Sequence, residues 1–137
     1  MSAVRLVRSS NLSPAVDYAY ASVVPAGTRL IHLAGACPLD ADGRTVAPGD
    51  TVAQSRQAVA NLVQALADAG ARLQDVAYTR VLVASTDRED LVAAWRVVRD
   101  AFADHDVPST LLGVTVLGYP ELVEVEAVAA VPEAVDD

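Results

Sequence analysis

The sequence has no lysine. All ten of its basic residues are arginines. Schiff-base chemistry of the aldolase or pyridoxal kind needs a lysine amine and is therefore excluded. A Walker-type phosphate loop is excluded on the same ground. Cysteine is nearly absent: Cys37 stands alone, so there is no internal disulfide and a reducing cytoplasm is the expected setting. The opening residues, Met-Ser-Ala-Val-Arg-Leu-Val-Arg, lack the apolar core of a secretory leader. Two histidines, His32 and His105, and one cysteine give no recognisable zinc spacing, so any metal would have to sit on carboxylates. Long apolar runs are missing too. Leu111 to Pro120 is the longest near-apolar stretch, far short of the ~20 residues a membrane-spanning helix needs. Positive charge is scarce: 10 basic against 18 acidic residues leave a net charge of −8 and a pI near 4.5. Nucleic acid and anionic membranes are poor partners for such a chain.

What is present is apolar and globular. The 137 residues are 53% hydrophobic, with a mean hydropathy of +0.30. That length suits one domain, residues 1–137, able to bury roughly 70% of its unfolded surface without a staple.

The pattern predicts a strand order of β-β-β-α-β-α-β-β. Ala3 to Arg8 is a short edge strand. Ala19–Val24 and Thr28–Ala34 are β-rich runs around Pro25-Ala26-Gly27, which is hairpin chemistry. The first helix starts at Asp50 or Thr51, where Thr51-Val-Ala-Gln54 fits a capping box, and ends at Gly70. Val52, Val59, Leu62, Val63 and Leu66 share one of its faces. Val76 to Ser85 is a strand. A second helix follows a second capping box, Thr86-Asp-Arg-Glu89, with Leu91, Trp95, Val98 and Phe102 as its inner stripe. Thr110–Leu117 is a strand, Gly118-Tyr119-Pro120 a turn and Leu122–Val131 the last strand. Two helices on one face of a sheet make an α+β sandwich. Yet Val81-Leu82-Val83-Ala84 and Thr110–Leu117 are apolar on both alternating faces, as strands covered on both sides are. The chain supplies helices for one face only. A second copy is the natural cover, so a homo-oligomer is expected, with the open sheet face at its centre.

The last strand turns Val123, Val125, Ala127, Ala129 and Val131 one way and Glu124 and Glu126 the other. Two carboxylates about 7 Å apart suit acid–base work on a small substrate, against the plain alternative of a solvated face. Four tyrosines, Tyr18, Tyr20, Tyr78 and Tyr119, are the only phenols, and packing is their commoner role. Cys37 reads as structural, since no base is evident beside it. His32 reads as surface or interface. His105 reads as a cation at a helix C-terminus, and Trp95 and Phe102 as core. Ser109 and Thr110, after Pro108 and before a strand, could donate hydrogen bonds to a ligand carboxylate or carbonyl.

Gly35-Ala-Cys-Pro38-Leu-Asp, Gly43, Gln54-Ser-Arg56-Gln57-Ala-Val-Ala-Asn61 and Pro120-Glu-Leu-Val-Glu124-Val-Glu126-Ala127 together resemble the YjgF/RidA family. The likeness runs from about Asn11 to Val131. It implies a chorismate-mutase-like fold: a mixed six-stranded sheet with two helices on one face, assembled as a homotrimer. It also implies clefts between subunits where reactive enamines and imines are hydrolysed to keto acids and ammonia, with no metal or organic cofactor. Carried over by position, Glu124 is the catalytic residue that places the attacking water. Tyr18 and the Gly35 backbone line the cleft. The family's arginine, which grips a substrate carboxylate after a proline, has no counterpart: Ser109 stands in its place, or Thr110 if the register slips by one. Leu111 stands where many members have cysteine. A hydroxyl cannot replace a bidentate cation. The implied activity is therefore imine or enamine hydrolysis on a substrate other than the usual 2-imino acids, held by Tyr18, Gly35, Ser109 and Thr110, or by another arginine such as Arg29. Two alternatives stay open: a non-catalytic small-ligand-binding trimer, and a tautomerase-like or ring-closing pathway enzyme on the same fold.

Overall fold

The computed structural model describes residues 2–118 and 120–133. Tyr119, within the expected Gly118-Tyr119-Pro120 turn, lies outside them. The strands are β1 (Arg5–Val7), β2 (Ala21–Val23), β3 (Thr28–His32), β4 (Val76–Val83), β5 (Ser109–Gly113) and β6 (Val123–Pro132), and the helices are α1 (Thr51–Asp68) and α2 (Arg88–Ala101). Their order is the expected one. Strands β3, β6, β4 and β5 form a four-stranded sheet in that order, and β1 and β2 pair separately. β4 and β5 run parallel while the other pairs are antiparallel, so the main sheet is mixed.

The six strands thus divide into four and two instead of forming one continuous sheet. The hairpin expected between β2 and β3 does not form, although Gly27 takes φ +82° as the turn requires. Pro25 brings no N–H to a ladder there. β2 instead pairs with β1, Arg5 opposite Val23, and β3 pairs with β6, Ile31 opposite Ala129. Ser22 Oγ ties the two-stranded ribbon to the main sheet by donating to the Ala77 carbonyl at 2.6 Å.

Both helices cover the same sheet face. Leu62 and Leu66 of α1 and Ala94 and Val98 of α2 meet Val81, Val83, Val123 and Val125 in one buried cluster. Each large apolar side chain sealed here contributes about 1.5–3 kcal/mol. Val63, expected on the inner stripe, is 42% exposed. Ala58 takes the inner place instead. α1 begins one residue before the expected box: Asp50 is the N-cap and accepts from the Ala53 N–H at 2.9 Å. α2 is likewise capped by Asp87, which accepts from Glu89 N–H. Gly70, at φ +84°, follows α1 as expected. The Ala71 N–H reaches back to the Leu66 carbonyl and the Gly70 N–H to Ala67, a Schellman end.

Among the described residues nothing covers the opposite sheet face. Leu30, Tyr78 and Leu112 stand 54%, 37% and 42% exposed there, with Leu82 between them opposite Leu112. This is the bare apolar face expected from the two-sided strands. No helix among the described residues is long and apolar enough to cross a membrane.

Candidate functional site

One cluster is built where the chain leaving β3 crosses β6. Ala36 and Val125 exchange two backbone hydrogen bonds, at 2.7 and 3.1 Å. That bridge lays Gly35 and Cys37 against the Glu124 side chain. A Cβ on Gly35 would lie 2.5 Å from Glu124 Oε2 and 2.7 Å from its Cδ. Only glycine admits the carboxylate at this distance. Gly35→Ala is expected to displace Glu124 and to destabilise the fold by about 1–3 kcal/mol, as overpacking does. Chemical denaturation measures that loss, and an unchanged midpoint would contradict the close approach.

The polar residues of α1 hold this cluster in place. Asn61 Nδ2 donates to the carbonyls of Cys37 at 2.8 Å and Leu39 at 2.9 Å. Gln57 Nε2 in turn donates to Asn61 Oδ1. Gln54 is fully buried and does not close the expected capping box. Its Nε2 donates to the Ala47 and Pro120 carbonyls and its Oε1 accepts from Leu122 N–H at 2.7 Å. The Gln54-x-x-Gln57-x-x-x-Asn61 pattern is therefore the clamp that fixes both chain segments bearing the cluster.

Cys37 Sγ donates to Glu124 Oε1 at 3.1 Å. Burial, reinforced by the Glu124 hydrogen bond, pushes its thiol from an ordinary 9.0 up to about 12. The thiol stays protonated at neutral pH and is no nucleophile, in keeping with the structural reading of Cys37. Glu121 joins the cluster: one ligand atom each from Cys37, Glu121 and Glu124 lie within 4.8 Å of one another. Burial raises the Glu121 carboxyl above the usual range; a Cys37 hydrogen bond opposes the rise, and the Glu124 hydrogen bond and charge add to it. Three donor atoms at such spacing could meet one ion, but a thiol that keeps its proton is a poor metal ligand.

Glu126 is separated from Glu124 by its partner. It lies 3.6 Å from Arg80, its register neighbour on β4. Of the two carboxylates predicted to share a face, one is ion-paired and one is poised beside Gly35.

A second cluster lies two strands away, around β5. Tyr18, Trp95, Ser109, Thr110 and Leu111 line a cleft of about 360 Å³. The Tyr18 and Trp95 rings meet edge to face at 6.4 Å, and the indole N–H donates to Asp17 Oδ2 at 3.1 Å. Arg99 lies 3.6 Å from the same carboxylate. The two hydroxyl residues point apart. Ser109 pairs in register with buried Thr79 and their hydroxyls are hydrogen-bonded. Thr110 faces the open side, its Oγ1 2.7 Å from the Tyr78 hydroxyl. His105 closes the rear of this region by hydrogen-bonding the Val76 carbonyl through Nε2.

The structure thus brings Glu124 and Gly35 together, and Tyr18, Ser109 and Thr110 together, but not the two groups. Thr110 is two strands and two residues from Glu124 on the sheet, a separation of about 12 Å from strand spacing. Trp95 and Glu121 were not anticipated. Trp95 fitted the inner helical stripe, and its signal was the indole N–H that needs a partner. Glu121 follows a proline before a strand and reads there as an ordinary loop acid.

The family model described as Endoribonuclease L-PSP matches residues 10–131. A mouse protein named 2-iminobutanoate/2-iminopropanoate deaminase is 30% identical over 128 residues, covering 93% of each chain. A Rid family protein from Yersinia pestis superposes with a TM-score of 0.85 at 28% identity, over 94% of this chain and 99% of that one. A Mycobacterium tuberculosis member of the YjgF family is 32% identical, with a TM-score of 0.62 over 93% of this chain and 99% of that one.

Proposed function

The chain belongs to this YjgF/Rid family, and from that premise we propose that it is a hydrolase of reactive imines or enamines, working in a cleft shared between two copies of itself. The observation that carries the reading is Glu124, held against Gly35 with no cation beside it among the contacts described. Its carboxylate would take a proton from water as the water oxygen bonds to the imine carbon. It would return that proton to nitrogen. Collapse of the carbinolamine then forms the carbonyl, and the hydroxyl proton leaves with ammonia. The balance is imine plus water to carbonyl plus ammonia, with Glu124 regenerated.

The split between the two clusters and the bare sheet face support an assembled site. A second copy packed on Leu30, Leu82 and Leu112 buries that face, and the trimer implied by the resemblance fits it. The mouse relative bears the name of a deaminase of 2-imino acids. Here the cleft lining is Tyr18, Trp95, Ser109, Thr110 and Leu111, without a positive charge to fork a carboxylate. A neutral imine with an apolar or aromatic group fits that lining better. Ribonuclease activity, which the family description names, fits poorly with a net charge of −8.

The test supplies two imines beside semicarbazide as trap, one from an amine oxidase and one from an amino-acid oxidase. The protein is expected to suppress trapping of the amine-derived imine and to spare the 2-imino acid. Thr110→Arg, on the open side of β5, is expected to shift the preference toward the 2-imino acid. Trapping of both imines unaffected by the protein would overturn the reading.

A further inference from the structure

The mechanism above uses Glu124 and leaves Glu121 idle, yet Glu121 is held as firmly. The one Gln54 side chain bonds the residue before it, through the Pro120 carbonyl, and the residue after it, through Leu122 N–H at 2.7 Å. Gly118 makes room for it: a Cβ there would lie 2.9 Å from Glu121 Oε1. Glu121 Oε2 is buried and has no hydrogen-bond partner among the described residues. The residue also forms part of the wall of a cleft of about 340 Å³ together with Pro48, Leu117 and Leu122.

A buried carboxylate oxygen without a donor is costly, whereas a carboxylic acid can donate and stay neutral. Among the described residues, Glu124 on β6 and Cys37 on the segment after β3 are the titratable groups facing it. The α1 residue bonded to its flanking backbone, Gln54, is uncharged, and the other cleft residues named are apolar. A thiol that keeps its proton already donates to Glu124 Oε1. Two carboxyls this close do not both ionise readily.

We propose that Glu121 is a positioning residue for Glu124: the two carboxyls share one proton, Glu121 carrying it, so that Glu124 alone bears the charge and is held toward the water. This rests on the hydrolase reading for its purpose, but not for its physics. As pH rises through the raised Glu121 value, a second charge appears beside Glu124 and turns it away. Activity is therefore expected to fall on the alkaline side. Glu121→Gln cannot ionise but still donates a hydrogen bond. It is expected to lower kcat by about ten-fold through imperfect orientation and to remove the alkaline fall. The same alkaline limb in Glu121→Gln as in the unaltered protein would overturn the proposal.

A second measurement does not depend on turnover. Carboxyl carbon NMR of the intact protein is expected to show Glu121 titrating well above an ordinary glutamate, and to show it move down toward the ordinary range in Glu124→Gln. An ordinary titration in the unaltered protein, or no movement in the variant, would overturn the shared proton. A protein with a raised, responsive Glu121 that hydrolyses no imine would instead leave the proton sharing standing and reject the hydrolase reading.

Discussion

Glu124→Gln is expected to lower imine hydrolysis by about 10²–10⁴-fold, the usual worth of a placed general base. The amide keeps the size of the carboxylate, so the contact with Gly35 and the cluster around it are retained. It cannot take a proton from water. KM is expected to change little, since no substrate charge is bound at this end. The double role of Cys37 as donor to Glu124 Oε1 and to the Gly35 carbonyl at 3.5 Å keeps the local packing intact in the variant. Steady-state kinetics on the amine-derived imine, beside a thermal melt, separate the two effects. A variant with full activity would remove Glu124 from the chemistry.

The second large effect concerns the open sheet face. Leu112→Glu places a carboxylate at a position 42% exposed in the single chain, where it costs the isolated fold little. In an assembly it would be buried without a partner, at several kcal/mol per copy. Light scattering is expected to show the mass fall to that of one 14.3 kDa chain, with circular dichroism unchanged. Hydrolysis is expected to fall at least about 10²-fold at the same time, because the two half-sites separate. An assembly that survives the substitution would place the interface elsewhere.

Much of the fold was legible in the sequence, and the reasons are local. The apolar stripes of α1 and α2, the Schellman glycine at Gly70 and the clean alternation of β6 each follow from spacing. The bare sheet face followed from strands apolar on both sides. What was not legible depends on distant partners. The pairing of β2 with β1 instead of β3 is decided by which ladder is available, not by the turn between them. Gln54 looked like a capping residue because its partners, Ala47, Pro120 and Leu122, are far along the chain. The opposite fates of Glu124 and Glu126 were equally hidden: both lie on one strand face, and distant partners distinguish them, Arg80 beside Glu126 and Gly35 and Cys37 beside Glu124. The family resemblance supplied Glu124 and Gly35 as separate positions, and their contact, a carboxylate approaching a missing Cβ, was not legible in the sequence. Ser109 and Thr110 could not be separated by sequence. The register with β4 turns the first inward to Thr79 and the second outward to Tyr78.

The most direct test of a shared imine-hydrolysing site mixes two inactive chains. One carries Glu124→Gln, and the other carries Thr110→Trp, which fills the cleft beside Tyr18 and Trp95. The two are co-expressed with different tags, and mixed assemblies are purified through both. If each site draws Glu124 from one copy and the cleft from its neighbour, every mixed trimer, of either composition, restores about one site in three. Imine hydrolysis is then expected to reappear in the mixture at about that fraction of the unaltered rate. Mixed assemblies as inactive as their two parents, beside an active unaltered protein, would contradict the shared site.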